Sequence, residues 1–92
     1  MSILRIPTPL RPYVNGQSEI SVQAQTVGEA LSILTDCYTG LRPHLFNTDG
    51  QLRLFVNLFL NDEDIRQLQG LDTPIKESDR LILIPSIAGG YK

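Results

Sequence analysis

The sequence predicts an α+β domain: a mixed sheet of four to five strands packed on one main helix. Three observations predict it. One segment, Val27 to Tyr38, carries a helical apolar period. Short apolar or alternating segments with strand character lie on both sides of it. The chain is 92 residues long at 10.3 kDa, so folding buries roughly 64% of the extended surface, enough for one modest core.

Ile3 to Pro7 is short, apolar and β-leaning, and Pro7, Pro9 and Pro12 follow at spacings read as a loop without a helix. Asn15-Gly16 is the strongest hairpin signal. Ser18 to Gln23 then alternates, with Ile20 and Val22 on one face, as a half-buried second strand does. Thr26 and Glu29 have the spacing of a capping box, which starts a helix near Val27. Val27, Ala30, Leu31, Leu34 and Tyr38 form its apolar stripe, Ile33 and Cys37 widen it, and Gly40 is expected to stop it in a left-handed conformation. Leu41 to Phe46 suits a helical turn and Asn47 to Gly50 a polar loop.

From Arg53 to Leu60 both faces of a strand are apolar: Leu54, Val56, Leu58 and Leu60 on one, Phe55, Asn57 and Phe59 on the other. Asn61 to Asp64 reads as a polar turn, Ile65-Arg66 as a brief return strand and Gly70 to Pro74 as another turn. Arg80 to Ile84 is the best strand candidate, ended by Pro85. Residues 1–86 are thus expected to form the domain and 87–92 a flexible tail.

Composition excludes more functions than it suggests. One cysteine, Cys37, allows no internal disulfide, and with His44 as the one histidine no Cys/His zinc site can be built. A net charge of −2, with Lys76 and Lys92 the only lysines, gives no basic stripe for nucleic acid. The longest aliphatic run, Leu81 to Ile84, falls far short of the ~20 residues of a membrane span, and the N-terminus has no signal-peptide pattern. A reducing, cytoplasmic setting is expected. Catalytic motifs are missing: Asp62, Glu63 and Asp64 crowd one turn as a solvated cluster, His44 lies beside Pro43 without an evident partner, and Cys37 on the apolar side of the helix reads as a buried, inert thiol.

One feature stands out. Ile87-Ala88-Gly89-Gly90-Tyr91-Lys92 follows the last strand, and two glycines without Cβ atoms make a tail thin enough to thread a narrow enzyme channel. Together with Leu54-Phe55-Val56-Asn57, Asn61-Asp62-Glu63-Asp64-Ile65-Arg66, Gly70-Leu71 and Ile84-Pro85, it resembles the ubiquitin-fold sulfur carriers, which include the small subunit of molybdopterin synthase and the thiamine-biosynthesis carrier. Ile6-Pro7-Thr8 and Leu10-Arg11-Pro12 look most like the cysteine-biosynthesis branch.

The resemblance implies a ubiquitin-like β-grasp and a protein cosubstrate that is not itself an enzyme. It implies that the Gly90 carboxylate is adenylated by a ubiquitin-activating-type enzyme that uses ATP, then converted to a thiocarboxylate that delivers sulfur, most fittingly for cysteine. No cofactor is expected on the carrier itself. Because Gly90 is followed by Tyr91-Lys92, its carboxyl group is locked in a peptide bond, and the resemblance implies removal of this extension by a metalloprotease. Glu77-Ser78-Asp79 departs from the Gly-Asp often found at that turn. The implied partners are the adenylating enzyme and a sulfur-acceptor enzyme, such as a pyridoxal-phosphate-dependent cysteine synthase. They are expected to contact Phe55, Asn57, Phe59, Ile82 and Ile84 on the outer sheet face, and Ile87, Ala88 and Gly89 of the tail. Two other readings stay open: the small subunit of molybdopterin synthase, and an unprocessed ubiquitin-like interaction module. A competing arrangement of the face has the Gly40 to Leu52 loop folding over Phe55 and Phe59 as a second small core.

Overall fold

Strand β1 (Ser2–Arg5) places Ser2 and Leu4 inward and Ile3 and Arg5 outward, the period of two that alternation dictates. The computed structural model describes residues 1–53 and 56–85. Along the chain follow β2 (Glu19–Val22), α1 (Val27–Cys37), the short α2 (Arg42–Leu45), β3 (Val56–Leu60), β4 (Glu63–Asp64) and β5 (Arg80–Pro85). The five strands form one mixed sheet in the order β2-β1-β5-β3-β4. β1 pairs antiparallel with β2 and parallel with β5, and β5 pairs antiparallel with β3. This is the expected α+β architecture, with α1 packed on the inner face through Val27, Ala30, Leu31 and Leu34, against Leu4, Leu58, Leu81 and Leu83.

The connection from β1 to β2 is a 3-10 helix, Thr8–Val14, where the prolines argued for a loop. Pro9 suits the first turn of this helix, where its fixed φ helps and the missing N–H would have no partner, and Pro12 stands inside it, where the fixed φ still matches 3-10 geometry. The turn buries Leu10 and Val14, and Asn15 and Gly16 leave it with φ of 59° and 77°, the left-handed conformations that the Asn-Gly pair favours.

The start of α1 follows the capping rule. The Glu29 backbone N–H donates to Thr26 Oγ1 at 3.1 Å, and Glu29 Oε1 accepts from the Gln25 N–H at 2.6 Å. The Val27 N–H, another amide with no partner inside the helix, donates to the Thr73 carbonyl at 3.0 Å, and Ile75 donates back to Gln25 at 2.9 Å. A Cβ on Gly28 would stand 3.2 Å from the Leu71 carbonyl oxygen, so the missing side chain lets the helix start lie against the Gly70–Asp72 turn.

The far end of α1 departs from expectation. Cys37 is exposed, and Thr35 is buried in its place. At the ~100° step of a helix, Thr35 and Cys37 lie about equally far from the centre of the stripe on opposite flanks, so the helical period does not choose between them, and the packing buries the Thr35 flank. Thr35 is tolerated because its hydroxyl donates to the Leu31 carbonyl at 3.0 Å and accepts from Arg42 Nη1 at 3.2 Å, tying α1 to α2. Gly40 is no left-handed stop. The helix ends at Tyr38, with φ of −128° and ψ of 79°, and Gly40 continues into a 3-10 turn that brings Leu41 into the core.

The return strand is Glu63–Asp64 rather than Ile65-Arg66. Asn61 and Asp62 both adopt positive φ, 49° and 79°, so a two-residue turn reverses the chain at once, and Ile65 then leaves the sheet in a 3-10 turn to bury itself. Ser78, in the turn where the family often has Gly-Asp, takes a φ of 72°, a conformation that glycine adopts more readily.

Three stability measurements test this layout. Thr26→Ala should lower the unfolding free energy by about 1 kcal/mol through loss of the cap, as a shift of the urea midpoint at unchanged slope. Leu58→Ala, deep in the core, should cost about 3 kcal/mol, whereas Phe59→Ser, one residue away on the other face, should cost about 1 kcal/mol. Equal losses for the two would contradict the face assignment.

Candidate docking face and tail root

The outward face of the sheet is built from residues that alternate with the core rows. Val56, Leu58 and Leu60 of β3 and Leu81 and Leu83 of β5 are buried, which turns Asn57, Phe59, Ile82 and Ile84 to the other side. The register joins them. Phe59 stands opposite Ile82 and Asn57 opposite Ile84, so cross-strand neighbours make one apolar patch with a polar corner. Phe59 and Ile82 are half-buried, and Ile84 is 44% exposed.

The Gly40 to Leu52 loop does not build a second core over this face. Leu41, Leu45 and Phe46 are buried in the main core with Val56 and Leu58, and Leu52 packs against that same cluster. The loop holds its own shape: Phe46 bridges Leu52, and the Asn47 side-chain oxygen accepts the amides of Asp49 and Gln51 at 2.9 and 3.0 Å. Its apolar residues are consumed on the helix side of the sheet.

Polar groups frame the patch. The Asn57 side-chain oxygen accepts from Arg66 Nη2, and Asp64, opposite Phe59, accepts from the Arg66 backbone amide at 2.9 Å and from Arg66 Nε at 3.3 Å. Asn57 is therefore held by Arg66, a partner the linear pattern did not reveal. On the other flank Arg5 lies beside Ile82, opposite Glu19, and Glu19 Oε2 is 3.7 Å from Arg80 Nη1. The alternation of Ile3 to Arg5 about buried Leu4 is the signal that places Arg5 outward.

β5, the central strand of the sheet, ends at Pro85, directly across from Val56 and next to Ile84. Leu54, Phe55 and the tail residues Ile87, Ala88, Gly89, Gly90, Tyr91 and Lys92 lie outside the described residues.

The remaining candidates assemble no reactive centre. His44 is exposed and stacks on Tyr13, ring centroids 4.3 Å apart. Asp64 is committed to Arg66, and among the described residues no group of three or more His, Cys, Asp and Glu side chains could hold a metal ion. A cleft of about 640 Å³ lies away from the patch, where Met1, Gln25, Glu29 and Glu77 line it. Both of its carboxylates are occupied: Glu29 caps the helix, and Glu77 is 3.3 Å from the N-terminal ammonium.

Comparison with known proteins agrees with this arrangement. The sulfur carrier protein CysO of Mycobacterium tuberculosis is 40% identical over 87 residues, which span 92% of this chain and 94% of that one. The crystal structure of Mycobacterium tuberculosis CysO superposes with a TM-score of 0.85 at 36% identity, covering 94% of this chain and 99% of CysO. The crystal structure of the Amycolatopsis orientalis BexX/CysO complex contains a chain that matches with a TM-score of 0.88 at 31% identity, over 98% of this chain and all of that one (100%). The ThiS family model matches residues 4–90. A ubiquitin-like β-grasp with a match from β1 to the second glycine, and identity to CysO over nearly the whole chain, establish that this protein belongs to the ThiS family of sulfur carriers.

Proposed function

We propose that this chain carries sulfur on Gly90 for the biosynthesis of cysteine. In this reading a metalloprotease first hydrolyses the Gly90–Tyr91 bond and frees the Gly90 carboxylate. That carboxylate attacks the α-phosphorus of ATP in the activating enzyme, forming the acyl adenylate and expelling pyrophosphate. Hydrosulfide then displaces AMP and leaves a thiocarboxylate, whose sulfur attacks an acceptor held in a second enzyme, for cysteine one that uses pyridoxal phosphate. Hydrolysis of the Gly90 acyl bond then releases the sulfur with the acceptor and restores the Gly90 carboxylate. The carrier binds no cofactor of its own and supplies position: no side chain at Gly89 or Gly90 obstructs the reacting carbon, and the preceding strand is anchored in the core.

The observation that carries this reading is the Gly89-Gly90 pair following the end of β5, in a chain 40% identical to a CysO sulfur carrier. The patch of Phe59, Ile82 and Ile84, with Asn57 at its edge, supports it as the surface on which partner enzymes dock; Phe55 is proposed as a further partner contact, and Ile87, Ala88 and Gly89 as the residues that enter the partner's channel. Among the described residues no helix is long and apolar enough to cross a membrane, which suits a carrier working in the cytoplasm.

Activation by the cognate enzyme tests the first step. A chain ending at Gly90 should support ATP–pyrophosphate exchange at once, the full chain only after proteolytic trimming, and a chain lacking residues 90–92 not at all. Equal exchange by the first two would show that Tyr91-Lys92 does not gate function; exchange by the third would sink the assignment of Gly90. Docking is tested separately: Phe59→Ser should raise the Kd for the activating enzyme about fivefold or more, as loss of an interface anchor does, while the protein remains folded by circular dichroism.

A further inference from the structure

We propose that Arg5 is a charge-specific docking residue: the activating enzyme presents a carboxylate beside the aliphatic surface that covers Ile82 and Phe59, and Arg5 receives it. The inference rests on the docking face proposed above and adds the chemistry of the partner.

The sheet lines up one residue per strand in a single rank. Glu19, Arg5, Ile82, Phe59 and Asp64 are successive cross-strand neighbours on the outward face, running from β2 to β4. At about 4.8 Å between strands, the Arg5 backbone lies one strand from Ile82 and two from Phe59. Both carboxylates of the rank are engaged elsewhere, Glu19 with Arg80 and Asp64 with Arg66. Arg5 is exposed and its guanidinium has no hydrogen-bond or ion-pair partner among the described residues. Arg5, Arg80 and Arg66 against Glu19 and Asp64 leave one positive charge here, on a chain whose net charge is −2. The face is locally the reverse of the molecule.

That arrangement selects a partner by chemistry. An aliphatic surface alone would satisfy Ile82, Ile84 and Phe59 and leave the guanidinium against apolar groups, at the expense of its hydration. A carboxylate placed at the edge of that surface gives Arg5 a planar, two-point contact and draws the anionic partner to this face during encounter. A rim charge of this kind acts mainly on the association rate and its salt dependence.

The test measures association and dissociation rates between the full chain and the purified activating enzyme of the same organism. Arg5→Gln removes the charge without setting a second carboxylate opposite Glu19. It should lower kon about tenfold at low ionic strength with koff nearly unchanged, and the difference should shrink in about 1 M salt, where the screening length falls to about 3 Å. Arg5→Lys should retain most of the association rate. Wild-type kon for Arg5→Gln alongside a raised koff for Phe59→Ser would overturn the role of Arg5 and leave the docking face standing. A deficit that persists undiminished in high salt would also overturn it, because the side chain would then act by packing. Unchanged rates for both variants, or no binding by the wild-type chain, would reject the docking face itself.

Discussion

The parallel pairing of β1 with β5 holds the two halves of the chain together, and the rest of the arrangement depends on it. Leu4 faces Leu81 across that pairing, and both are completely buried beneath α1. Parallel neighbours cannot be joined by a tight turn, so everything from β2 to the Ser78 turn is the connection between them. Ile3 donates to the Asp79 carbonyl at 3.0 Å, and Ser2 Oγ donates to the Lys76 carbonyl at 2.9 Å, which fixes the entrance to β5 against the first residues of the chain. With β5 fixed between β1 and β3, its C-terminal end also has a set position, at Pro85 across from Val56.

From that constraint comes the asymmetry of the sheet. The helices and the Gly40 to Leu52 segment gather on one face because their apolar side chains fill one core. Among the described residues, the other face has only its own side chains to cover it. Aliphatic and aromatic groups in the middle of such a face gain little from folding, since they remain partly in water, and their presence is better explained by what associates with them. The polar residues around them are tied into pairs, Arg66 to Asn57 and Asp64, Arg80 to Glu19. Those pairs are exposed and contribute little stability; they orient side chains at the rim.

The division of labour suits a carrier. In the proposed reading the reactive group sits on Gly90, and recognition by partner enzymes has to be supplied by the folded domain. In that same reading, the end of central strand β5 next to Ile84 puts recognition and delivery on adjacent parts of the chain. On that proposal the carrier's own contribution is positioning, with bond making and breaking left to partner enzymes.

Much of this was legible in the residues. The Thr26–Glu29 spacing marked the helix start, the even row of β3 marked the core, and the Gly89-Gly90 motif with its neighbours marked the family, because caps, period-two alternation and backbone-permissive glycines are local requirements that a sequence states directly. The prolines after β1 were misleading, since a 3-10 turn accepts them where a long α-helix would not. Cys37 and Thr35 were exchanged because polarity marks the buried face only until a hydrogen-bonding partner such as Arg42 arrives from another element. The loop between Gly40 and Leu52 and the rank from Glu19 to Asp64 join residues far apart in the chain. The sequence by itself determined the fold class, the buried rows and the Gly89-Gly90 motif that marks the family; only the tertiary structure decided which layer covers which face and how the charges of the described residues pair, because strand order and register are long-range choices that no local pattern encodes.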